Sequence, residues 1–243
     1  MNLIKVFEDT LDCIKDIQND YTPSVTTKHT FVEIKECESE SEPIIEVINS
    51  DTVSAIVEYS KLGKTCALNM ASYKKPGGGV QNGARAQEEC LFRSSNLFNV
   101  VSKDFYPLKD DECLYTTDAL FVKDVNYHYM KPVQCDVLTI AAINLNKYAK
   151  YDDLQQMSDS DYEKLTKEKI RLMLTIPSNN QIENLILGAW GCGVFDNDPA
   201  KISRYFKEVI LDGYGSNIKR IVFAIINDHN SVGNNFEIFK NTL

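Results

Sequence analysis

The chain has 243 residues, of which 43% are hydrophobic, and its formal net charge at pH 7 is −9. This length can bury a sizeable core and is compatible with one α/β domain or two small ones, of which we expect one. The acidic balance argues against a surface built for general attraction to nucleic acid or anionic lipid, so we expect neither direct DNA binding nor membrane association.

The N-terminal segment predicts an amphipathic helix, because Phe7, Leu11, Ile14 and Ile17 recur at helical spacing. We expect this helix to pack on the body of the domain. The segment EIKECESESEP at 33–43 is acidic and short of large apolar residues, which is typical of a solvated loop. We therefore interpret residues 1–43 as an extension formed by a helix and an acidic loop, and residues 44–243 as the core.

From residue 44 onward, short apolar runs alternate with helical patterns, which is typical of βαβ units. The predicted strands are 44–48, 66–70, 119–122, 137–143, 184–190 and 218–226. The predicted helices are one that begins after an N-cap at Ser50 or Asp51, one at about 84–102, one within 159–175 and one at 199–211. Residues 103–133 have the least regular pattern. Strands that are apolar on both faces belong in the middle of a covered sheet, so the sequence predicts a three-layer α/β/α sandwich.

Glycine is concentrated in two short clusters, since seven of the 11 glycines fall within 77–83 and 188–193. Each cluster follows an apolar strand. In open α/β sheets, ligands bind outside the carboxyl ends of the strands, where backbone amides can hold phosphates. One cluster alone is as readily a tight turn, but two in matching positions predict two walls of one cleft. Neither cluster contains GxxxxGK[ST] or GxGxxG, which disfavours a nucleoside triphosphatase and a standard dinucleotide dehydrogenase.

Two adjacent carboxylates, Glu88 and Glu89, follow the first glycine cluster at the start of a predicted helix. The helix macrodipole favours acidic side chains there, so two adjacent glutamates at this position could be explained without any function. Beside a loop that a ligand can approach closely, however, a protonated carboxyl can donate a proton to a leaving glycosidic oxygen while its neighbour holds a sugar hydroxyl. Because adjacent side chains point in different directions, we expect the two glutamates to have different roles.

The segment LNMASYKKPGGGVQNGARAQEECLFRSS at 68–95 closely resembles the signature of the bacterial-type poly(ADP-ribose) glycohydrolases, a branch of the macrodomain superfamily. That signature consists of three glycines, a spacer, which is 80–86 in this chain, and Gln-Glu-Glu. A second block, LILGAWGCGVFDNDPAKISRYF at 185–206, is similar to the family's diphosphate-binding loop and the helix behind it. The resemblance extends from about residue 44 to residue 228 and implies a macrodomain-like sandwich with a mixed central sheet.

The resemblance implies a glycosidase that hydrolyses the ribose–ribose O-glycosidic bonds of poly(ADP-ribose) and releases ADP-ribose, mainly from chain ends. It makes Glu89 the catalytic acid/base and Glu88 the residue that holds the ribose and orients the scissile bond. The implied substrate-binding residues are Asn69, Gly77, Gly78, Gly79, Val80, Gln87, Trp190, Gly191, Cys192, Gly193, Val194 and Phe195. Of these, the amides of 191–194 would bind the diphosphate, while Asn69 and Phe195 would contact the distal ribose. The resemblance implies neither a cofactor nor a metal.

Two of these residues also have structural interpretations, because Trp190 ends a buried strand and Cys192 is useful chiefly for its small size. Near the first glycine cluster lie Lys74, Lys75, Arg85 and Arg93. These cations are interpreted either as steering a polyanion or as solvated surface charge. The first twenty residues lack the long apolar stretch of a signal peptide, and no run approaches the ~20 apolar residues of a membrane span.

Seven cysteines, odd in number and without a CxxC pair, favour a reducing compartment. We therefore expect an intracellular protein, cytoplasmic or, in a eukaryotic cell, nuclear. Its expected partners are poly(ADP-ribose) or an ADP-ribosylated protein as substrate, and ADP-ribose as product. Two alternatives stay open at this point. One is a hydrolase of mono-ADP-ribosylated protein, and the other is a non-catalytic reader of ADP-ribose.

Overall fold

A computed structural model describes residues 1–31, 42–146, 157–227 and 233–243. Its strands are β1 Val25–Thr30, β2 Ile44–Ile48, β3 Thr65–Met70, β4 Glu112–Lys123, β5 Tyr129–Ile140, β6 Asn184–Leu187 and β7 Arg220–Ala224. Its α-helices are α1 Leu3–Ile17, α2 Thr52–Tyr59, α3 Gln87–Ser94, α4 Leu97–Val100, α5 Asp159–Asn179, α6 Pro199–Leu211 and α7 Asn235–Thr242. Most of the expected acidic loop, residues 33–41, lies outside the described residues.

The seven strands form one mixed sheet in the order β1-β4-β5-β3-β6-β7-β2. The pairs β1–β4 and β4–β5 are antiparallel, whereas β5, β3, β6, β7 and β2 run parallel to one another. The carboxyl ends of these five parallel strands therefore meet at one edge of the sheet. This edge carries both glycine clusters.

Helices cover both faces of the sheet, which confirms the predicted three-layer architecture. One face packs against α1 to α4 around residues such as Phe7, Ile56 and Phe92, and the other against α5 to α7 around Ile170 and Phe206. The apolar side of α1 is buried, as expected from its spacing, and Asn2 caps the helix by accepting from the amides of its first turn. No helix among the described residues has the length and apolar composition needed to cross a membrane.

One prediction of local structure is wrong, and another is incomplete. The helix expected at about 84–102 is two helices, because Ser95 is extended, with φ −143° and ψ 178°, and forms a β-bridge with Phe121. Residues 103–133 have the least regular pattern, and only the strand at 119–122 was predicted there. They contain all of β4, which includes that strand, and the start of β5, and the two strands form a long hairpin. Its register shifts between Thr116 and Ala119, and such bulges interrupt the two-residue period on which strand prediction depends.

Two further elements were not predicted, and three predicted strands end early. The strand β1, whose sequence is VTTKHT, has no large apolar residue except Val25 and occupies the edge of the sheet. It lies within 1–43, so this segment contributes a strand as well as a helix. The helix α7 was also missed. The strands β5, β6 and β7 end at residues 140, 187 and 224, so the apolar residues that follow belong to loops at the carboxyl edge.

Candidate active site

The glycine loop, residues 71–86, connects β3 to α3 at the carboxyl edge of the sheet. Gln87, the first residue of α3, fixes this helix to the end of β3. Its side-chain oxygen accepts from the Met70 amide at 2.9 Å, and its side-chain nitrogen donates to the Leu68 carbonyl at 2.6 Å. The first turn of α3, which carries both glutamates, is consequently held beneath the loop.

Glu88 is buried, with only 4% of its surface exposed, and the protein satisfies both of its carboxyl oxygens. One oxygen accepts from the Ser72 amide at 2.7 Å, and the other accepts from the Gly77 amide at 3.1 Å and from the Asn69 side chain at 3.4 Å. Burial raises the pKa of Glu88 to about 8, although these hydrogen bonds oppose the shift. At neutral pH, much of the Glu88 population is therefore protonated.

Glu89 is buried beside it but contacts a different part of the loop. Its Oε1 accepts from the Gly79 amide at 2.8 Å, and its Oε2 accepts from the Ala86 amide at 3.1 Å. Because Ala86 immediately precedes the helix, the second bond satisfies one of the free amides at the helix start. The two carboxyls thus occupy distinct positions under one loop.

The glycine loop approaches the carboxyls so closely that side chains are excluded. Gly78 has φ +51°, and a Cβ at this position would lie 2.6 Å from Oε1 of Glu89 and 3.1 Å from Oε2 of Glu88. Gly77 has φ +70°, and its Cβ would lie 2.7 Å from the ring of Phe92. Both glycines therefore have positive φ and no room for a Cβ, which explains the glycine cluster physically.

The second glycine cluster follows β6, the parallel neighbour of β3, so its loop lies next to the glycine loop. A Cβ on Gly188 would collide with the end of the Met70 side chain, which shows how closely the start of this loop packs against the end of β3. Gly191 has φ +77°, and its Cβ would lie 2.8 Å from the Cβ of Ala142. We call residues 191–197 the 191–197 loop.

Most of the backbone amides expected to bind phosphate are available in this loop. Within the described part of the chain, the amides of Gly191, Gly193 and Val194 have no acceptor. The Cys192 amide, in contrast, donates to the Ala189 carbonyl at 3.1 Å. Val194 is 71% exposed, so this part of the loop faces outward. Burial raises the pKa of the Cys192 thiol to about 12, so the thiol is neutral at physiological pH.

Several predicted site residues lie behind the surface. Asn69 and Val80 are buried, and Asn69 also donates to Thr139 of β5 at 3.3 Å. Trp190 is buried too, and its indole nitrogen donates to the Ile140 carbonyl at 3.2 Å, which makes it part of the core under the 191–197 loop. Phe195 is partly buried against the same core.

Arg93 is not a surface cation. Its side chain is fully buried, its Nε donates to the Tyr127 hydroxyl at 3.1 Å, and its guanidinium lies 5.5 Å from the centre of that ring. Lys75 and Arg85 lie within the glycine loop and are exposed. Arg93 could not be distinguished from the exposed cations in the sequence, because residue spacing does not show which face of α3 the β4–β5 hairpin covers.

Sequence reasoning also missed residues that shape the site. Ser72 binds Glu88 with its backbone amide, so the identity of its side chain could not indicate this role in the sequence. The hydroxyl of Tyr106 is buried without a partner among the described residues, and burial and the charge of Glu88 raise its pKa. Asn197, four residues after the second glycine cluster, is buried. A polar residue at a loop–helix junction was the one available signal for it.

The raised pKa of Glu88 predicts how the free energy of unfolding depends on pH. The folded protein retains a proton that the unfolded chain releases above a pKa of about 4.5, so the stabilisation is fully present below that pH. It is lost as the pH rises to about 8, by at most about 1.4 kcal/mol per pH unit. Denaturant unfolding between about pH 5 and pH 8 should therefore show wild type losing stability relative to Glu88→Gln, which cannot titrate. If the free energies of unfolding of wild type and Glu88→Gln changed in parallel with pH, the raised pKa of Glu88 would be contradicted.

Comparison with protein families gives one match that covers the glycine loop and both glutamates. The family model described as microbial-type PARG, catalytic domain, where PARG is poly(ADP-ribose) glycohydrolase, matches residues 8–128. The 191–197 loop lies outside the matched region. The comparison with curated proteins finds no match.

Solved structures extend the similarity over nearly the whole chain. The poly(ADP-ribose) glycohydrolase of Thermomonospora curvata is similar in fold, with a TM-score of 0.84, 22% sequence identity and coverage of 99% of each chain. The same protein bound to the inhibitor ADP-HPD gives a TM-score of 0.81 at 22% identity and the same coverage. The enzyme of Deinococcus radiodurans in complex with ADP-ribose gives a TM-score of 0.76 at 26% identity, covering 90% of this chain and 94% of that one.

Proposed function

We propose, on the premise that this chain belongs to the microbial-type poly(ADP-ribose) glycohydrolase family, that it hydrolyses the ribose–ribose O-glycosidic bonds of poly(ADP-ribose) and releases ADP-ribose. The observation that carries the proposal is the pair of buried carboxyls, Glu88 and Glu89, which accept from amides of the glycine loop next to the 191–197 loop. A glycosidase needs a proton donor at the leaving oxygen and a site that holds the sugar beside it.

Substrate binding is proposed to use the backbone of both loops. The amides of Gly191, Gly193 and Val194 lack acceptors within the described residues, so they would donate to the diphosphate of the terminal ADP-ribose unit. Gly78 lets the ligand approach the two carboxyls, because a side chain at this position would occupy the space next to Glu88 and Glu89. Backbone donors suit this ligand, because the acidic chain does not attract a phosphate through its net charge and must bind it through local hydrogen bonds.

The proposed reaction begins when Glu89 transfers its proton to the leaving ribose oxygen as the bond from that oxygen to the anomeric carbon breaks. The positive charge that develops on the sugar is stabilised by the diphosphate and by the carboxylate that Glu89 has become. Water then attacks the anomeric carbon and returns a proton to Glu89, which restores the enzyme. The products are ADP-ribose and a polymer shortened by one unit.

Glu88 is proposed to hold the ribose next to the scissile bond. Its raised pKa gives it a proton at neutral pH, so it can donate a hydrogen bond to a sugar oxygen, which an ionised carboxylate cannot. The amides of Ser72 and Gly77 fix the orientation of the carboxyl before the substrate arrives. Glu88 therefore positions the substrate, while Glu89 carries out the proton transfer.

The proposal includes an intracellular location and cleavage mainly at chain ends. The six cysteines among the described residues are free thiols, which fits a reducing compartment. The preferred bond can be tested from the product lengths early in the digestion of purified long polymer. We expect free ADP-ribose to accumulate from the first time points while the remaining chains shorten gradually. Early release of long oligomers would contradict the preference for chain ends, and unchanged polymer would contradict the function itself.

A further inference from the structure

One buried side chain, Asn197, organises the 191–197 loop. It is 4% exposed, and its side-chain nitrogen lies within hydrogen-bonding distance of three carbonyl oxygens: Ile143 at 2.9 Å, Gly191 at 3.0 Å and Phe195 at 3.2 Å. Its backbone amide also donates to the Gly191 carbonyl, at 3.1 Å. Asn197 thus draws carbonyls from both ends of the loop toward the protein interior.

Other donors satisfy two further carbonyls of the loop. The Gly193 carbonyl accepts from the Asp196 amide at 3.0 Å, and the Val194 carbonyl accepts from the Asn146 side chain at 2.8 Å. The carbonyls of 191, 193, 194 and 195 are therefore all used within the protein, while the amides of 191, 193 and 194 have no acceptor in the described part of the chain. At residues 191, 193 and 194 the loop consequently presents a free amide to a ligand, while the carbonyl of the same residue is already bound within the protein.

Tyr162 of α5 determines which end of the Asn197 amide faces the loop. Tyr162 is 5% exposed. Its hydroxyl donates to the Asn197 side-chain oxygen at 2.6 Å. With that oxygen bound to Tyr162, the nitrogen must face the carbonyls. The reverse orientation would place an oxygen against three other oxygens, so a 180° rotation of the amide is strongly disfavoured.

We propose that Asn197 and Tyr162 are positioning residues for phosphate binding, which fix the 191–197 loop with its free amides directed at a diphosphate ligand. The inference rests on the proposed function only for the identity of that ligand, which is the diphosphate of ADP-ribose. Neither side chain needs to touch the ligand. Their effect passes through the backbone of the loop.

The test compares Tyr162→Phe with Tyr205→Phe, a matched control. Tyr205 of α6 is also buried, with its ring centre 6.4 Å from that of Tyr162, but its hydroxyl is directed at Glu163 and not at the loop. Calorimetry with ADP-ribose, ADP and adenosine measures Kd for each variant. Tyr162→Phe should weaken ADP-ribose and ADP by about two- to tenfold, the effect of losing one buried hydrogen bond, and leave adenosine unchanged. Tyr205→Phe should bind all three ligands as wild type does.

A second variant, Asn197→Asp, keeps the size of the side chain but loses its donors, so we expect a larger loss of ADP affinity than for Tyr162→Phe. In turnover, both variants should raise KM more than they lower kcat, since phosphate contacts hold substrate and transition state alike. Wild-type affinity for ADP in Tyr162→Phe, or an equal loss of adenosine affinity, would overturn the inference. If wild type binds ADP tightly but leaves the polymer intact, the proposed function fails and this inference stands.

Discussion

Replacing Glu89 by Gln should lower kcat on poly(ADP-ribose) by about 100- to 10,000-fold, the range expected when a general acid is removed. The side-chain amide that replaces the carboxyl has no proton acidic enough to transfer to the leaving ribose oxygen. It keeps the size of the carboxyl and one acceptor oxygen, so the bond from either the Gly79 or the Ala86 amide can persist. The Kd for ADP-ribose should therefore change little. Initial rates of ADP-ribose release, together with calorimetry on both proteins, measure the two quantities.

Glu112→Gln is the matched control for this prediction. Glu112, in β4, is also buried, and it accepts from the Lys109 amide and the Lys28 side chain, both at 3.0 Å, but it lies outside the glycine loop and α3. Its replacement should leave kcat within a fewfold of wild type. The role of Glu89 would be contradicted if Glu89→Gln kept more than about a tenth of wild-type turnover, a smaller loss than removal of a general acid causes.

Gly78→Ala should have the second largest effect, with kcat/KM falling by about 100-fold, because an added Cβ would displace both carboxyls by a substantial fraction of an ångström. The Cβ would lie 2.6 Å from Glu89 Oε1 and 3.1 Å from Glu88 Oε2, so the side chains or the loop must move. The φ of +51° adds backbone strain, which lowers stability as well. Steady-state kinetics and thermal unfolding of the same preparation separate the two effects.

Gly213→Ala separates strain from displacement. Gly213 also has a positive φ, +92°, but its Cβ would meet nothing within 4 Å. This variant should lose stability through strain and keep its activity per folded molecule. If Gly78→Ala lost no more activity than Gly213→Ala, the close approach of the glycine loop to the carboxyls would have no catalytic importance.

The sequence predicted best the elements whose periodicity is strong and whose environment is simple. The helix α6 has the expected bounds, 199–211, because a Pro follows the Asp198 N-cap and a clear apolar stripe follows the Pro. The strand β2 was also located correctly, at 44–48. In contrast, β1 is an edge strand rich in threonine, with one lysine and one histidine, and the β4–β5 hairpin contains bulges. Their pairing depends on partners distant in the chain, which local pattern does not reveal.

The same distinction holds for the site. Glu88, Glu89 and the glycine loop lie within twenty residues of one another, so a short motif could indicate them together. Other contacts of the site join elements that are distant in the chain. Examples are the hydrogen bond from Asn69 to Thr139 and, for the 191–197 loop, the bond from Tyr162 to Asn197. Residue spacing carries no information on such pairs, nor on whether a cation such as Arg93 is exposed or buried. These features became visible only with the fold.

The most direct test of the proposed function compares initial rates of ADP-ribose release by the wild-type protein from purified poly(ADP-ribose) and from a mono-ADP-ribosylated protein. A glycohydrolase specific for ribose–ribose bonds should release ADP-ribose from the polymer and leave the protein-linked unit largely in place. Release from the mono-ADP-ribosylated protein with the polymer intact would contradict this account in favour of a mono-ADP-ribosyl hydrolase. Calorimetric binding of ADP-ribose without release from either substrate would instead indicate a reader.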